Sequence, residues 1–395
     1  AGAEYLTQLI EAGLDAKAVA PKIKFNLGVG TNYFMEIAKL RAARFLWAKI
    51  VEAFMPGCNS DDCACAALMN IHSENTIWNK TVYDPYVNML RTQTEAMSAA
   101  LGGTDSLTVL PFNAIYEEST PFSERIARNQ QLLLKEESHF DKIVDPGAGS
   151  YYIEELTASI AEESWKLFLT VQEKGGFLAA AKEGFIQAEI KAMAQKRDMN
   201  IATRRENVLG TNQFPNFGEM IDENLPEEVL QPKNMKAENA VAEPLTMYRG
   251  SMPFEVMRNK SDRYARKNGR RQKAFMLTIG NLAMRKARAQ FACNFFACAG
   301  YDVVDNNGFT NVEDGVKAAL EAKSDIVVIC SSDEEYAGFA PQAAELLKDK
   351  AVLVVAGYPK AILEELNEKG VEHFIHVRTN VLESLKSFQK LTGIE

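Results

Sequence analysis

The sequence is poor in cysteine, histidine and long apolar runs, and it has no excess of positive charge. Its six cysteines include no Cys-x-x-Cys pair, so they indicate neither a disulfide framework nor a metal site, and they fit a cytoplasmic protein. No apolar run approaches the roughly 20 residues that cross a bilayer, and residues 1–6 carry neither a basic region nor a secretory apolar stretch. With 44 basic and 53 acidic side chains, the net charge of −9 argues against a nucleic-acid or membrane partner.

The length of 395 residues exceeds that of one ordinary domain, because one core serves roughly 100 to 200 residues. A hydrophobic fraction of 47% and a charged fraction of 25% match an average soluble protein and supply enough apolar material for large cores. We therefore expect two or three domains. The sequence does not begin with Met, so we also expect a processed or truncated start.

From residue 23 to about residue 150, short β-like runs alternate with longer helical ones, which is typical of βα units around a parallel sheet. A closed (βα)₈ barrel takes about 250 residues, so three or four units predict only part of one. We expect residues 1–155 to form the C-terminal part of a TIM-type barrel, whose open edge more of the same polypeptide or a partner covers. Strands are predicted at residues 23–29, 66–71, 106–110 and 143–144, and helices at residues 32–54, 84–101 and 121–137.

The rest of the sequence predicts three further segments. Residues 156–215 are predicted to form a helical layer interrupted at Gly175 and Gly176, and residues 216–272 a linker rich in Pro, Glu and Asn. From residue 273 to residue 395, five strands alternate strictly with five helices, which predicts a flavodoxin-like, doubly wound parallel sheet. The second of these helices is predicted to begin with a capping box formed by Thr310 and Glu313. The strands are predicted at residues 274–279, 301–304, 325–330, 352–356 and 373–377.

Three features are candidates for chemistry. His72 follows the second predicted strand, where βα barrels place acids, bases and hydrogen-bond donors, but a purely structural role is equally open. The loop at residues 280–287 is where a doubly wound sheet binds a cofactor, yet it has one glycine and no Asp, Glu or His, so we interpret it as a packing loop. Six cations between residues 263 and 273 could meet a phosphate or an acidic partner, or could form a solvated linker.

Four segments, in order along the chain, resemble the methylmalonyl-CoA mutase family. They are residues 35–47 (MEIAKLRAARFLW), 83–88 (YDPYVN), 125–130 (RIARNQ) and 145–152 (DPGAGSYY). The resemblance runs essentially from end to end, beginning within the family's substrate-binding barrel and ending with its cobalamin-binding domain. It implies a partial barrel followed by a degenerate cobalamin-binding fold, and an isomerase that interconverts methylmalonyl-CoA and succinyl-CoA by adenosylcobalamin chemistry.

The positions that hold cobalamin in the family differ in this sequence. The family's loop reads Asp-x-His-x-x-Gly, in which the histidine binds cobalt and the aspartate orients it; Leu282, Met284 and Ala287 stand at these places. Asp333 stands where a Ser-x-Leu motif has leucine, and Ala356 replaces the first of two paired glycines. The resemblance therefore implies that this chain has no cofactor-binding residues and that a partner subunit holds the adenosylcobalamin of the holoenzyme.

The family's catalytic segment, His-x-Gln-Thr-Ser-Gly-Trp, is also altered. His72 and Trp78 match it, but residues 74–77 do not, so we expect no catalytic residue and acyl-CoA binding by this chain is doubtful. The pattern is similar to the family's non-catalytic chain, which pairs with a catalytic large subunit of the same fold in a heterodimer. Two other hypotheses stay open: an active mutase that binds cobalamin without a histidine ligand, and a non-enzymatic ligand-binding or regulatory module.

Overall fold

The computed structural model describes residues 1–56, 61–234 and 238–394, with only the backbone described at residues 61–63. The chain forms two compact units. The barrel unit comprises residues 1–80, 85–194 and 232–249, and the flavodoxin-like unit comprises residues 81–84, 195–231 and 250–395. No helix within the described ranges is both long enough and apolar enough to cross a membrane. The four segment boundaries given above stay a prediction.

The barrel unit is built on three parallel strands, with helices between them. The strands β1, β2 and β3 are hydrogen-bonded in that order, so consecutive strands are neighbours, as in a βα barrel. The prediction of βα units around a parallel sheet is confirmed. The elements through the first half of the chain are α1 (Gly2–Glu11), α2 (Ala16–Val19), β1 (Lys24–Val29), α3 (Tyr33–Phe54), α4 (Asp61–Ala66), β2 (Asn70–Asn75), α5 (Val87–Leu101), β3 (Ser106–Thr108), α6 (Pro121–Leu132), a π-helical turn (Leu133–Glu137), α7 (Tyr151–Glu173), α8 (Phe177–Lys182) and α9 (Phe185–Ala202).

Helix α3 supplies much of the core of the barrel unit. Leu40, Trp47 and Val51 recur along one face of the helix and are buried together with Ile71 of β2. This spacing is the helical repeat of an amphipathic stripe, and it explains why the sequence predicted α3 nearly to the residue. Helix α3 also packs against α5 and α7.

Two strands of the barrel unit differ from the prediction by more than their end residues. The second strand, predicted at residues 66–71, is β2 at Asn70–Asn75, because residues 61–66 form α4 and because β2 pairs with β1 from Lys24↔Asn70 onward. The prediction of a fourth strand at residues 143–144 was wrong. Val144 is 95% exposed, and Asp145 adopts a left-handed backbone with φ of 43°, a conformation that does not continue an extended strand.

The flavodoxin-like unit contains a five-stranded parallel sheet with strands in the order β10-β9-β8-β6-β7. Numbered within this sheet, the order is 5-4-3-1-2, which is that of flavodoxin-like folds, so the predicted doubly wound architecture is confirmed. Strand β8 is buried along its whole length, as expected of a central strand covered on both faces. The remaining elements are β4 (Lys233–Asn234), β5 (Thr246–Met247), α10 (Met252–Asn268), β6 (Lys273–Thr278), α11 (Leu282–Ala297), β7 (Asp302–Val304), α12 (Val312–Glu321), β8 (Ile326–Cys330), α13 (Tyr336–Leu347), β9 (Val352–Ala356), α14 (Leu363–Glu368), β10 (Phe374–Ile375) and α15 (Val381–Leu391); β4 and β5 are an antiparallel pair within the barrel unit.

Two local details of the flavodoxin-like unit correct the sequence analysis. Helix α12 begins one residue later than predicted, because the side chain of Asn311, not Thr310, accepts a 2.8 Å hydrogen bond from Asp314 N. Helix α10 lies where a linker was expected. It is held to α15 by Gln389, whose amide donates to Met257 O at 2.7 Å.

Candidate functional site

The first candidate is His72, which lies within β2 and not directly after it. Its Nδ1 is 2.8 Å from Ser106 Oγ, and its Nε2 is 3.0 Å from Thr108 Oγ1. Ser106 and Thr108 are two residues apart on β3, so both hydroxyls lie on the same face of the sheet as the imidazole. Each hydroxyl can donate or accept, so the arrangement accommodates either neutral tautomer. Both ring nitrogens of His72 are therefore engaged within the chain.

The sheet face that carries His72 is polar across all three strands. Asn26 of β1, His72 of β2 and Ser106 of β3 occupy the same level in the register, and Glu74 follows His72 on that face. The interior of a βα barrel is usually filled by branched apolar side chains. This face, in contrast, suits water or a polar ligand and cannot form a dry core.

A buried charged network, which the sequence did not predict, connects the loop that follows β2 to α5. Lys80 Nζ donates at 2.8 Å to both carboxylate oxygens of Glu95, and the side chains of Asn75 and Asn79 donate to the same carboxylate at 2.7 and 2.6 Å. Burial lowers the pKa of Lys80 and raises the pKa of Glu95. A signal was present in the sequence: the buried face of α5 carries polar residues at helical spacing, namely Asn88, Arg91, Thr92, Glu95 and Ser98.

Trp78, which matches the tryptophan that ends the family's catalytic segment, makes an aromatic contact within the barrel unit. Trp78 meets Tyr248 edge to face, with ring centroids 5.0 Å apart. The neighbouring Thr76 donates its hydroxyl to Asn79 Oδ1 at 3.2 Å. The loop after β2 is therefore connected through Asn79 to the buried network around Glu95.

The second candidate region is the carboxyl edge of the five-stranded sheet, beginning with the start of α11. Asn281 caps this helix, since its Oδ1 accepts from Ala283 N and Met284 N, both at 3.1 Å. The helix thus starts immediately after the turn, and Leu282 and Met284 lie on its first turn with 55% and 37% of their surfaces exposed. Ala287, one turn further on, is exposed as well.

Glu335 connects the loops that follow β6 and β8. Its carboxylate accepts from Ser331 Oγ at 2.6 Å, from Ser332 Oγ at 2.8 Å and from Asn281 N at 3.1 Å. These hydrogen bonds, led by that of Ser331, lower the pKa of Glu335 to about 2. The turn approaches so closely that a Cβ at Gly280, where φ is 76°, would collide with the carboxylate.

Asp333 and Ala356, two other positions that depart from the family pattern, are also engaged in contacts. Asp333 Oδ1 accepts from Arg288 Nη2 at 3.0 Å, which joins the loop after β8 to α11. The backbone oxygen of Ala356 accepts from the hydroxyl of the buried Tyr336 at 2.7 Å, and this hydroxyl in turn accepts from Ser331 N at 3.1 Å. The ends of β8 and β9 are therefore cross-linked by side chains.

The loops at this edge lack the groups that hold a corrinoid in the family that the sequence resembles. The side chain of Leu282 has no polar atom. The thioether of Met284 lies on an exposed helical turn and is only a weak metal ligand. The start of α11 therefore offers no imidazole, and no carboxylate that would orient an imidazole. The space between the loops after β6 and β8 is spanned by Glu335 and its partners. Within the described ranges, no group of three or more His, Cys, Asp or Glu side chains is arranged to hold a metal ion.

The basic stretch at residues 263–273 lies at the junction of α10 and β6, not in an irregular linker. It forms the end of α10 and the entry to β6, and most of its cations meet carboxylates of the same unit. Such pairing leaves little uncompensated positive charge for a phosphate. The ion pairs, with their shortest N···O distances, are Arg263–Glu227 (2.8 Å), Arg270–Asp325 (2.8 Å), Arg271–Asp262 (2.8 Å) and Lys273–Asp302 (3.9 Å).

Comparison with known proteins finds one family model and several relatives that match this chain over its whole length. Residues 1–262 match the family model described as methylmalonyl-CoA mutase. A methylmalonyl-CoA mutase small subunit from Porphyromonas gingivalis is 53% identical over 395 residues, which is 100% of this chain and 62% of that protein. A probable methylmalonyl-CoA mutase small subunit from Mycobacterium tuberculosis is 32% identical over 400 residues, covering 100% of this chain and 61% of its own length.

A large subunit also matches, but over a shorter stretch. The methylmalonyl-CoA mutase large subunit of Porphyromonas gingivalis is 40% identical over 213 residues, which is 54% of this chain and 29% of that protein. The chain spans about three fifths of the length of the small subunits that it matches.

Proposed function

This chain belongs to the methylmalonyl-CoA mutase family, and from that premise we propose that it is the small, non-catalytic subunit of the adenosylcobalamin-dependent mutase. The enzyme would be an isomerase that interconverts methylmalonyl-CoA and succinyl-CoA in the cytoplasm. The observation that carries the proposal is the 53% identity, over the whole chain, to a small subunit. In this proposal the chain binds and stabilises a catalytic large subunit of the same fold.

We further propose that the adenosylcobalamin belongs to the large subunit alone. The contacts of Glu335 support this proposal. They fill the space between the loops after β6 and β8, and the tail of the cofactor would need that space. The exposed Leu282 and Met284 support it too, because Leu282 has no ligand atom and Met284 offers only a weak thioether in place of an imidazole. His72, held at both nitrogens by hydroxyls, would have to give up one of these hydrogen bonds to contact an acyl group, so we assign it a structural role.

The experiment is to co-express this chain, carrying an affinity tag, with an untagged large subunit and to load the complex with hydroxocobalamin. We expect both chains to elute together with corrinoid absorbance, and the tagged chain alone to elute colourless after the same loading. The matched control is a complex whose large subunit has alanine at its cobalt-ligating histidine, and it should retain far less corrinoid.

Three outcomes would contradict the proposal. Corrinoid retained by the isolated chain would favour an active mutase that binds cobalamin without a histidine ligand. Failure of the two chains to associate would favour a separate ligand-binding module. Corrinoid retained in full by the complex with the altered large subunit would place cofactor ligands in this chain.

A further inference from the structure

The flavodoxin-like unit contains a cleft of about 970 Å³ that the proposed function does not use. It lies between α11, the ends of β6 and β7, and residues 204–217. Small-molecule sites commonly have volumes of roughly 300 to 1,000 Å³ and combine aromatic walls with a few placed polar groups. The size of this cleft is therefore that of a ligand site.

Strained backbone and exposed aromatic rings mark one wall of the cleft. Phe214 adopts a left-handed backbone with φ of 49°, yet 63% of its surface is exposed; Phe217, three residues on, is 45% exposed. Arg204, on the same segment, also has a positive φ, of 57°. A bulky residue held in this conformation without burying its ring gains little for folding, and such strain is concentrated at binding sites.

Two side-chain amides of the cleft have oxygens that lack partners. Gln213 Oε1 and Asn294 Oδ1 are buried from solvent and, in the part of the chain that the structure describes, accept no hydrogen bond. A buried acceptor left unsatisfied is unfavourable, so rotation of these amides towards a ligand that presents N–H or O–H donors would gain hydrogen bonds. An amide can both accept from and donate to the edge of adenine, which is how Asn and Gln recognise that base.

The charge of the cleft favours an anion. Its lining contains three cations, Arg204, Arg285 and Lys286, and a single carboxylate, that of Asp305. Arg285 donates to the backbone oxygens of Gly280 and Asn307 at 3.4 and 3.1 Å, contacts that hold the guanidinium in place without neutralising it. Lys286 is exposed on the second turn of α11.

From these observations we infer that the cleft binds an adenine nucleotide. Phe214 provides a stacking surface for the base, Gln213 and Asn294 pair with its edge, and Arg285 and Lys286 face the phosphates. The same adenosine phosphate chemistry occurs in free adenine nucleotides and in the nucleotide end of coenzyme A, so the ligands tested must include both.

The test is a calorimetric titration of the full chain with ADP, GDP, coenzyme A and inorganic pyrophosphate. ADP should bind saturably, and pyrophosphate should bind about 5- to 150-fold more weakly, which corresponds to the loss of one stacked base. GDP should bind more weakly than ADP, because its base edge does not match the amides in the same way. Tighter binding of ADP than of coenzyme A would indicate a free nucleotide as ligand, and the reverse order would indicate coenzyme A.

Three variants separate binding in this cleft from binding elsewhere. Lys286→Glu should weaken the affinity for ADP about tenfold or more, while Lys267→Glu, the same charge change at an exposed position near the end of α10, should leave it unchanged. Phe214→Gly should also weaken ADP binding, but with an unchanged or higher melting temperature, because glycine relieves the left-handed backbone.

Each of the following results would overturn the inference. ADP fails to bind saturably below about 1 mM. Pyrophosphate binds as tightly as ADP, which would indicate attraction of anions only. Lys267→Glu weakens binding as much as Lys286→Glu, or Phe214→Gly binds ADP with wild-type affinity.

Discussion

Removal of the buried Lys80 ammonium should strongly destabilise the barrel unit. In Lys80→Met, the carboxylate of Glu95 keeps its two hydrogen bonds from Asn75 and Asn79 but loses both bonds from Lys80 Nζ. The side chains of Lys80 and Glu95 are only 4% and 0% exposed, so water cannot replace the lost donor. The variant would remove the cation that is hydrogen-bonded to this buried negative charge.

The magnitude follows from two independent considerations. A hydrogen bond to a charged group contributes about 1.5 to 3 kcal/mol, so losing the two from Lys80 predicts about 3 to 6 kcal/mol. Breaking a buried ion pair by removing one partner is destabilising by about 3 to 5 kcal/mol. Since whole domains are stable by only about 5 to 15 kcal/mol, we expect a loss of roughly 3 to 5 kcal/mol to weaken the barrel unit severely.

The assay can report on the barrel unit alone. All three tryptophans of the chain, Trp47, Trp78 and Trp165, lie in this unit, so urea unfolding followed by tryptophan fluorescence measures its stability selectively. The matched control is Lys49→Met, which removes the lysine of an exposed pair with Glu52 in the same unit. An exposed pair contributes about 0 to 1 kcal/mol, so this control should unfold almost as the wild type does.

Changes in pH and a double variant complete the test. Burial raises the pKa of Glu95, and Lys80 is the strongest influence that opposes this rise, so its removal should raise the pKa further. The folded state would then bind a proton that the unfolded state lacks, and Lys80→Met should regain stability as the pH falls through the raised pKa of Glu95 towards the ordinary value of 4.5. The reasoning is refuted if Lys80→Met loses less than about 1 kcal/mol, or if Lys80→Met and Glu95→Gln are strictly additive in the double variant.

Three further predictions concern the edge of the five-stranded sheet. The triple variant Leu282→Asp, Met284→His, Ala287→Gly should still fail to retain hydroxocobalamin on gel filtration, because the contacts of Glu335 remain; a coloured variant would show that these three positions suffice. Glu335→Gln should remove stability that the wild type has above about pH 4.5 and loses as the pH falls towards 2, since the folded pKa is depressed to about 2; equal hydrogen exchange of the β6 and β8 amides in both proteins at neutral pH would contradict this. Tyr336→Phe should destabilise the flavodoxin-like unit by about 1 to 3 kcal/mol, measured by the same exchange, because its hydroxyl both donates and accepts between buried loops; exchange as slow as in the wild type would refute it.

The elements that the sequence predicted well are those whose burial follows a simple repeat. Strand β8 is an uninterrupted apolar run, and α3 carries a regular apolar stripe. Strand β2 was misplaced because half of it faces a polar interior, so its letters, NIHSEN, do not resemble a strand. Helix α10 was missed for a related reason, since its buried face includes the charged residues Glu255, Arg258 and Asp262.

The site positions could be found from the sequence, but their contacts could not. Leu282, Met284 and Asp333 were identified because they depart from a family motif at fixed spacing. Glu335 matches no motif, and its importance comes from a hydrogen bond to Asn281, 54 residues earlier in the chain. Contacts between loops at such separations depend on the strand order, which local patterns do not encode. Whether these positions exclude a cofactor stays a prediction.

The contacts of Glu335 have an evolutionary consequence. Ser331, Ser332 and Asn281 each donate to its carboxylate, so replacing any one of them removes one hydrogen bond and leaves the others in place. If the adenosylcobalamin belongs to the large subunit alone, as proposed, we expect that opening this edge to a cofactor would require several substitutions together. Single substitutions should therefore leave most of these loop contacts in place while the rest of the surface diverges.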